Sequence, residues 1–337
     1  MSVPDARVRD AGVRDGRAPR ALAGLVERYA LLAVWGVVIV AFGALRPDTF
    51  LTTANFSTIF GSQAILVVLT LALLPPLTAG DYDLSVAATL TLSSMTLAIL
   101  NVNHGWPAVA AIAAALGVGL LVGLVNGTIV VTLGVDSLIV TLGTSTFIAG
   151  VVLWISNSQT VSGVSQELID LVVVNRFLGI PLAFYYGIAL GLAMFYVFEL
   201  MPVGRRLLFV GRGRAVARLS GIRVARLRFG AFAVSGVISA FAGVLYAGTL
   251  GSADPTSGLS FLLPAFAAAF LGATTIQPGR FNPLGSIAAV YFLVTGITGL
   301  QLLGVQTFVQ QLFYGGALVV AVALSQVARR RRTAMTG

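Results

Sequence analysis

Asp81 and Asp83 stand two residues apart in Thr78-Ala79-Gly80-Asp81-Tyr82-Asp83-Leu84-Ser85, directly after Pro75-Pro76 and between two apolar runs. An ionised carboxylate at the centre of a bilayer costs about 2.5–3.5 kcal/mol on insertion scales, so two so close together need water or partners. One reading makes them the border of a polar passage, with Ser85 beside them. The other makes the run a cytoplasmic turn in which Asp83 or Ser85 caps the next helix by accepting its free amide protons. Two prolines followed by glycine predict a break in the helix that precedes them.

Three further groups carry polar chemistry in apolar surroundings. Asn126 lies within Gly119-x-x-x-Gly123-x-x-x-Gly127, a spacing that lets a second helix approach backbone to backbone, so Asn126 either bonds across that contact or lines a path. Thr141 and Thr144 belong to Val140-Thr141-Leu142-Gly143-Thr144-Ser145-Thr146. Their hydroxyls either bond back to carbonyls of their own helix or face a polar channel. After Arg214, the run from Ala215 to Ser220, with Ala217, Arg218 and Leu219, predicts two turns of amphipathic helix stopped by Gly221. Such a helix suits docking on a cytoplasmic partner; a basic loop held by anionic lipid headgroups is the alternative.

The missing residue types are as informative. The chain has no cysteine and one histidine, His104, so thiolate chemistry is excluded, as is a metal site built from several histidines. His104 sits in Asn103-His104-Gly105-Trp106-Pro107 and reads as a solvated loop residue. All 21 basic residues are arginine. A P-loop needs a lysine to reach the β and γ phosphates, so an ATPase must be a separate chain. We therefore expect no catalytic residue, no metal and no bound cofactor here.

These groups must be positioned by helices in lipid. Of the 337 residues 57% are hydrophobic and 10% charged, against about 25% charged in an ordinary soluble domain. Apolar runs predict ten membrane spans, near 29–45, 57–79, 84–101, 107–133, 137–156, 182–200, 229–250, 259–275, 283–303 and 306–327. The fold class is therefore an all-α polytopic membrane protein. Residues 1–28 read as a disordered cytoplasmic tail, 29–327 as the transmembrane domain and 328–337 as a basic cytoplasmic tail.

Arginines crowd the first tail, the 201–228 connection and Arg329 to Arg332. An even number of spans separates any two of these segments, which puts all three, and both termini, in the cytoplasm. The net charge of +9 thus serves orientation rather than nucleic-acid binding. The 157–181 connection, with Glu167 and Asp170, forms an external cap. Leu133-Gly134-Val135-Asp136-Ser137 is echoed by Leu303-Gly304-Val305-Gln306-Thr307, five spans later. An odd separation predicts a 5+5 inverted repeat, a common plan among transporters.

Three stretches resemble the monosaccharide-type ABC importer permeases, the family of the ribose, xylose, arabinose, galactoside and autoinducer-2 permeases. Ala79-Gly80-Asp81-Tyr82-Asp83-Leu84-Ser85-Val86 is similar to the family's A-G-G-I-D-L-S-V segment, with Asp81-Tyr82 in place of Gly-Ile. Asn126-Gly127 and Leu138-Ile139-Val140-Thr141-Leu142-Gly143-Thr144 resemble N-G and F-I-V-T-L-G-T. Ala217-Arg218-Leu219-Ser220-Gly221-Ile222 resembles A-R-L-S-G-I, and the match continues through Leu271-Gly272-Ala273-Thr274. Before that third stretch Arg212-Gly213-Arg214 stands where the family often has N-E-E, so the surface is more basic than usual.

The resemblance implies a multi-pass protein of a bacterial inner membrane that translocates a sugar or similar polyhydroxylated solute. It also implies a second permease chain, an ABC ATPase that hydrolyses the ATP, an extracytoplasmic solute-binding protein and surrounding lipid, and it makes 215–222 the ATPase-coupling helix. Two other classes stay open. An ion-coupled secondary transporter would use Asp81, Asp83 and Asp136, and a lipid-modifying membrane enzyme would rely on His104 or an aspartate as base.

Overall fold

The computed structural model describes the backbone of residues 17–306 and 308–334, and the side chains of 28–306 and 308–323. α1 (Arg17–Leu45) crosses the membrane and α2 (Pro47–Phe50) turns the chain back. The second crossing is α3 (Thr53–Ser62) followed by α4 (Ala64–Ala79), and the third is α5 (Val86–Ala98) with a π-helical extension, Ile99–Asn103. α6 (Ala108–Thr132) and α7 (Ser137–Ile155) complete the first five. The segment after them folds as β1 (Val161–Ser162), α8 (Gln166–Ile169) and a hairpin of β2 (Arg176–Phe177) with β3 (Ile180–Pro181). α9 (Leu182–Phe195) then leads to two short helices, α10 (Pro202–Arg212) and α11 (Arg214–Leu219). After α12 (Val224–Leu250), β4 (Ser252–Ala253) pairs with β1, and α13 (Leu262–Gly272), α14 (Pro283–Leu302) and α15 (Phe308–Ala334) finish the chain.

Among the described residues eight helices are long and apolar enough to cross a membrane. Two shorter apolar helices, Ser257–Gly272 and Phe308–Ala323, occupy the eighth and tenth expected spans. Helical backbone begins at Arg17 rather than near residue 29, because Ala- and Leu-rich sequence of high helix propensity continues α1 beyond its apolar part. The rest of the first tail, 1–16, and residues 335–337 of the last lie outside the described residues.

α4 is buried along its whole length, so it forms the axis on which α9, α12, α13 and α14 pack. A helix that is apolar all round is stable only when surrounded. That enclosure also explains a departure from expectation. Pro75 and Pro76 do not break the helix; α4 runs through them to Ala79, and the interruption falls earlier, at Gln63. Each proline removes one bond to the preceding turn, and the helices packed around α4 hold the segment helical despite that loss. Gly80 then closes the helix with φ 80°, while Asp81 N–H donates to Pro76 O at 2.9 Å.

The glycines of α6 perform the close packing expected of them. A Cβ on Gly119 would collide with Ala240 and Gly236 of α12, and one on Gly123 with the Phe232 carbonyl. Gly236 meets the backbone of Gly119 in return. Here the two helices touch backbone to backbone, the arrangement that small residues permit in lipid.

Two pairs of turns match in the way the expected inverted repeat requires. Gly134 (φ 73°) ends α6 and Gly304 (φ 81°) ends α14, each in the echoed Leu-Gly-Val sequence. The second pair is Thr78-x-Gly80-x-x-Asp83-x-Ser85 and Thr249-x-Gly251-x-x-Asp254-x-Thr256. Both glycines are left-handed, at 80° and 65°. Asp83 Oδ1 accepts from the Ser85 N–H (3.1 Å) and hydroxyl (2.6 Å); Asp254 Oδ1 accepts from the Thr256 N–H and hydroxyl, both at 2.8 Å. The first turn faces the arginine-bearing side. The second faces the opposite side, where Asp254 also accepts from Thr160 (3.0 Å) beside the β1–β4 pair.

The Thr256 backbone N–H first, then the Thr256 and Thr160 hydroxyls, hold Asp254 below the usual carboxylate range. A depressed folded value stabilises the fold above the unfolded aspartate pKa, about 3.9, and the contribution is lost as pH falls through the folded value. Amide exchange in 160–162 and 252–257 should therefore be unaffected between pH 7 and 5, apart from its intrinsic pH dependence, and should accelerate only below roughly pH 4. Loosening already at pH 6 would contradict this assignment.

Candidate functional site

The turn between α4 and α5 collects most of the polar candidates. Asp83 is buried, and its second carboxylate oxygen accepts from the Ser235 hydroxyl of α12 at 2.8 Å. Ser85 Oγ, which donates to Asp83, accepts from Asn126 Nδ2 at 2.8 Å. Thr144 Oγ1 in turn donates to Asn126 Oδ1 at 2.7 Å. Asp83, Ser85, Asn126, Thr144 and Ser235 thus form one unbroken chain of hydrogen bonds joining the α4–α5 turn to α6, α7 and α12. The sequence predicts that Asp83 or Ser85 caps α5. Neither does so: the α5 cap position, Ser85, offers no side-chain bond to the helix amides, and Asp83 satisfies the Ser85 N–H instead. The capping capacity is used up within the turn, where the Asp-x-Ser spacing favours a local ring.

α7 grips the same turn from outside. Its N-terminus is capped by Asp136, which accepts from Leu138 N–H at 2.9 Å. Ser137 Oγ accepts from Tyr82 N–H and Thr141 Oγ1 from Leu84 N–H, both at 3.0 Å. Thr141 meanwhile donates to the Ser137 carbonyl at 2.8 Å, the back-bonding to its own helix that is one of its two readings. Asn126 and Thr141 are fully buried, whereas Thr144 is only partly so.

Asp81 lies at the other end of the turn and is 2% exposed. The Arg228 guanidinium grips it with two bonds, Nε to Oδ2 at 2.7 Å and Nη2 to Oδ1 at 2.8 Å. Arg214 Nη2 donates to Asp81 Oδ1 at 2.7 Å and to the Gly80 carbonyl at 2.8 Å. A path candidate and a coupling candidate, which the sequence places in separate groups, are therefore one ion-paired cluster. Arg228, which the sequence marks only as an orienting arginine, and Ser235, which it marks only within the Ser235-Gly236 part of the family resemblance, are not among the path or coupling candidates. No local signal distinguishes them, since they lie 147 and 152 positions from their partners.

α11 spans Arg214–Leu219, shifted one residue toward the N-terminus from the expected Ala215–Ser220 run, and Gly221 (φ 77°) follows its end. The Ile222 N–H closes the end by donating to Ala217 O at 3.1 Å. Ala217 is buried against Val210 and Val224, while Val216 and Leu219, one turn apart, point outward at 57% and 89% exposure. Beside them a cavity of about 580 Å³ opens between Arg206, Ser220, Gly221, Ile222, Arg223, Arg226 and Leu227. Among the described residues Arg206, Arg218, Arg223 and Arg226 have no carboxylate partner. Two apolar knobs rimmed by unpaired arginines have the make-up of a protein-docking surface, apolar at the centre and polar at the edge.

The remaining inner loop, 273–282, is tied down by Ile276 N–H to Arg28 O (2.9 Å) and by the Arg280–Glu199 pair (3.1 Å). Asn282 Nδ2 holds the loop's own carbonyls at Gly272 and Thr275, and its Oδ1 caps α14. His104 is exposed at the outer end of the π-helical extension of α5.

Residues 53–322 match the family model described as branched-chain amino acid transport system / permease component. The chain is similar to the D-allose transport system permease protein of Escherichia coli (strain K12), 31% identical over 89% of this chain and 92% of that protein. It is also similar to the L-arabinose ABC transporter permease protein of Azospirillum brasilense, 29% identical over 97% of this chain and 95% of that one. The ribose import permease protein of Escherichia coli (strain K12) is 29% identical over 89% and 94%. No solved structure matches the chain.

Proposed function

The chain belongs to the branched-chain amino acid transport system / permease component family, and from that premise we propose that it is the membrane subunit of an ABC importer for a sugar or similar polyhydroxylated solute. It is a multi-pass membrane protein with both termini cytoplasmic. The related permeases named for allose, arabinose and ribose support the solute class. The energy comes from ATP hydrolysed on a separate ATPase subunit, in keeping with a sequence that has no lysine. The single observation that carries this reading is α11. It is a short helix, stopped by Gly221, that leaves Val216 and Leu219 outward on the arginine-rich face.

Closure of an ATPase dimer beneath α11 would push on it and shift the permease between inward- and outward-open states. A second permease chain completes the path. Of the path candidates Thr144 is the least enclosed, so the solute route runs along its face rather than through the buried Asp83, Ser85, Asn126 and Thr141. An extracytoplasmic solute-binding protein delivers solute to the outer surface formed by 156–181 and 251–257.

Proteoliposomes containing this chain, the ATPase and the binding protein should take up solute only with internal ATP. Uptake driven by an imposed ion gradient with this chain alone would overturn the reading in favour of a secondary transporter. A narrower test concerns docking. Leu219→Glu should leave thermal unfolding unchanged, because the side chain touches solvent, yet lower ATP-driven uptake at least tenfold, about 1.4 kcal/mol of lost docking. Undiminished uptake would reject α11 as the contact.

A further inference from the structure

We propose that Asp81 is a positioning residue for energy coupling: it fastens α11 to the α4–α5 turn, and that turn carries displacement of α11 to the spanning helices. The inference rests on the importer reading and adds to it a specific mechanical joint.

The joint follows from what else holds α11. Among the described residues, the side chains of α11 make no hydrogen bond to the rest of the chain other than those of Arg214. Its remaining attachments are its two chain connections and the small contact of Ala217 with Val210 and Val224. Such a contact permits sliding. The Arg214 guanidinium does not: it is bonded at 2.8 Å to the Gly80 carbonyl and at 2.7 Å to a carboxylate that Arg228 already clamps with two bonds. Charge-assisted bonds of this geometry are the strong, directional ones.

Arg228 lies in the first turns of α12, so the same carboxylate binds α11, the turn and a spanning helix at one point. The approach is tight as well. A Cβ on Gly211, three residues before Arg214, would collide with the Thr78 carbonyl.

The turn is rigid enough to transmit. Asp83 is tied to Ser85 and Ser235, Ser85 to Asn126, Asn126 to Thr144, and the backbone N–H groups of Tyr82 and Leu84 are held by α7. The segment Gly80 to Ser85 therefore has α11 at one end and α6, α7 and α12 at the other. Coupling passes through such contiguous networks when the element between them moves as a unit.

Two oddities of the sequence also become one feature. Asp81 stands where the related segment has glycine, and Arg214 lies in a run that is more basic than usual. The buried Asp81 charge needs partners, and the structure supplies Arg214 as one of them.

The test uses the assembled transporter, with Asp81→Gly, Asp81→Asn, Arg214→Ala and the double variant Asp81→Gly/Arg214→Ala. In proteoliposomes we expect Asp81→Gly to lower solute moved per ATP hydrolysed about tenfold while basal ATP hydrolysis continues. Asp81→Glu should restore part of the ratio. The double variant should be no worse than Asp81→Gly, because both remove the same joint. Asp81→Asn keeps the shape of the side chain and serves as the charge-loss variant should Asp81→Gly fail to fold. In the isolated permease, amide exchange of 214–221 should accelerate in Asp81→Gly or Asp81→Asn, with that of α6 unchanged.

An unchanged solute-to-ATP ratio would overturn the proposal, as would fully additive effects or uptake and hydrolysis falling in parallel. Failure of the importer reading looks different: the unmutated assembly would then show no ATP-dependent uptake, while the exchange result would still report on the joint.

Discussion

Gly123→Leu should abolish recovery of a folded, monodisperse protein from the membrane, while Gly117→Leu on the same helix should leave it intact. At Gly123 a Cβ would run into the Phe232 carbonyl and lie 2.9 Å from Ala233 Cα, and both are backbone atoms of a helix that cannot sidestep. Overpacking where side chains can adjust costs about 1–3 kcal/mol; where the obstacle is backbone, the seam between α6 and α12 must open along its length. Gly117 faces open space, with nothing within 4 Å of where a Cβ would sit. Leucine there gains roughly 0.5–1 kcal/mol of helix propensity over glycine. Thermal unfolding in detergent and size-exclusion profiles compare the two variants directly. Equal melting temperatures would show that the α6–α12 seam does not hold the fold together.

The second large effect is expected at Asp83. Asp83→Ala removes the acceptor for three donors, the Ser85 N–H, the Ser85 hydroxyl and the Ser235 hydroxyl. Bonds to a charged acceptor are worth about 1.5–3 kcal/mol each. Relief of burying the carboxylate offsets part of that, so the net loss is on the order of 3 kcal/mol. Asp83→Asn keeps a carbonyl oxygen in the same place and lets Ser235 reverse its bond, so it should cost much less. The check is the pair of melting temperatures together with uptake: a large drop for alanine, a small one for asparagine. If asparagine were as damaging as alanine, charge rather than hydrogen bonding would be what the site requires.

Much of this architecture is legible in the sequence because lipid imposes a coarse code. Ten apolar runs suffice to place the helices, eight long enough to cross and two shorter, since composition alone separates lipid from water. The glycine spacing of α6 and the stop at Gly221 are equally readable, being local patterns with one physical meaning each. What escapes reading is non-local. Asp81 gives no hint of Arg214 or Arg228, which lie 133 and 147 positions away, and although Ser235-Gly236 belongs to the family resemblance, nothing in it points to Asp83, 152 positions away. Pro75 and Pro76 mislead because proline rules describe an isolated helix, whereas α4 is enclosed by its neighbours. The candidate path residues are recognisable as polar, but a linear reading does not show that Asp83, Ser85 and Asn126 satisfy one another. The Thr-x-Gly-x-x-Asp-x-Ser/Thr pattern occurs at both turns, yet its second copy, around Asp254, is set among such different neighbours that only the shared geometry makes the two a pair.

Those two turns bear on how the protein is made. One local chemistry is used facing the cytoplasm at Asp83 and facing outward at Asp254, so a turn of this kind fits either side of the membrane. Such a turn therefore cannot tell the inserting polypeptide which way to point. That decision is left to the arginines, and most heavily to the 201–228 segment, which follows the first span of the second half and, retained in the cytoplasm, sets that half in the opposite sense from the first.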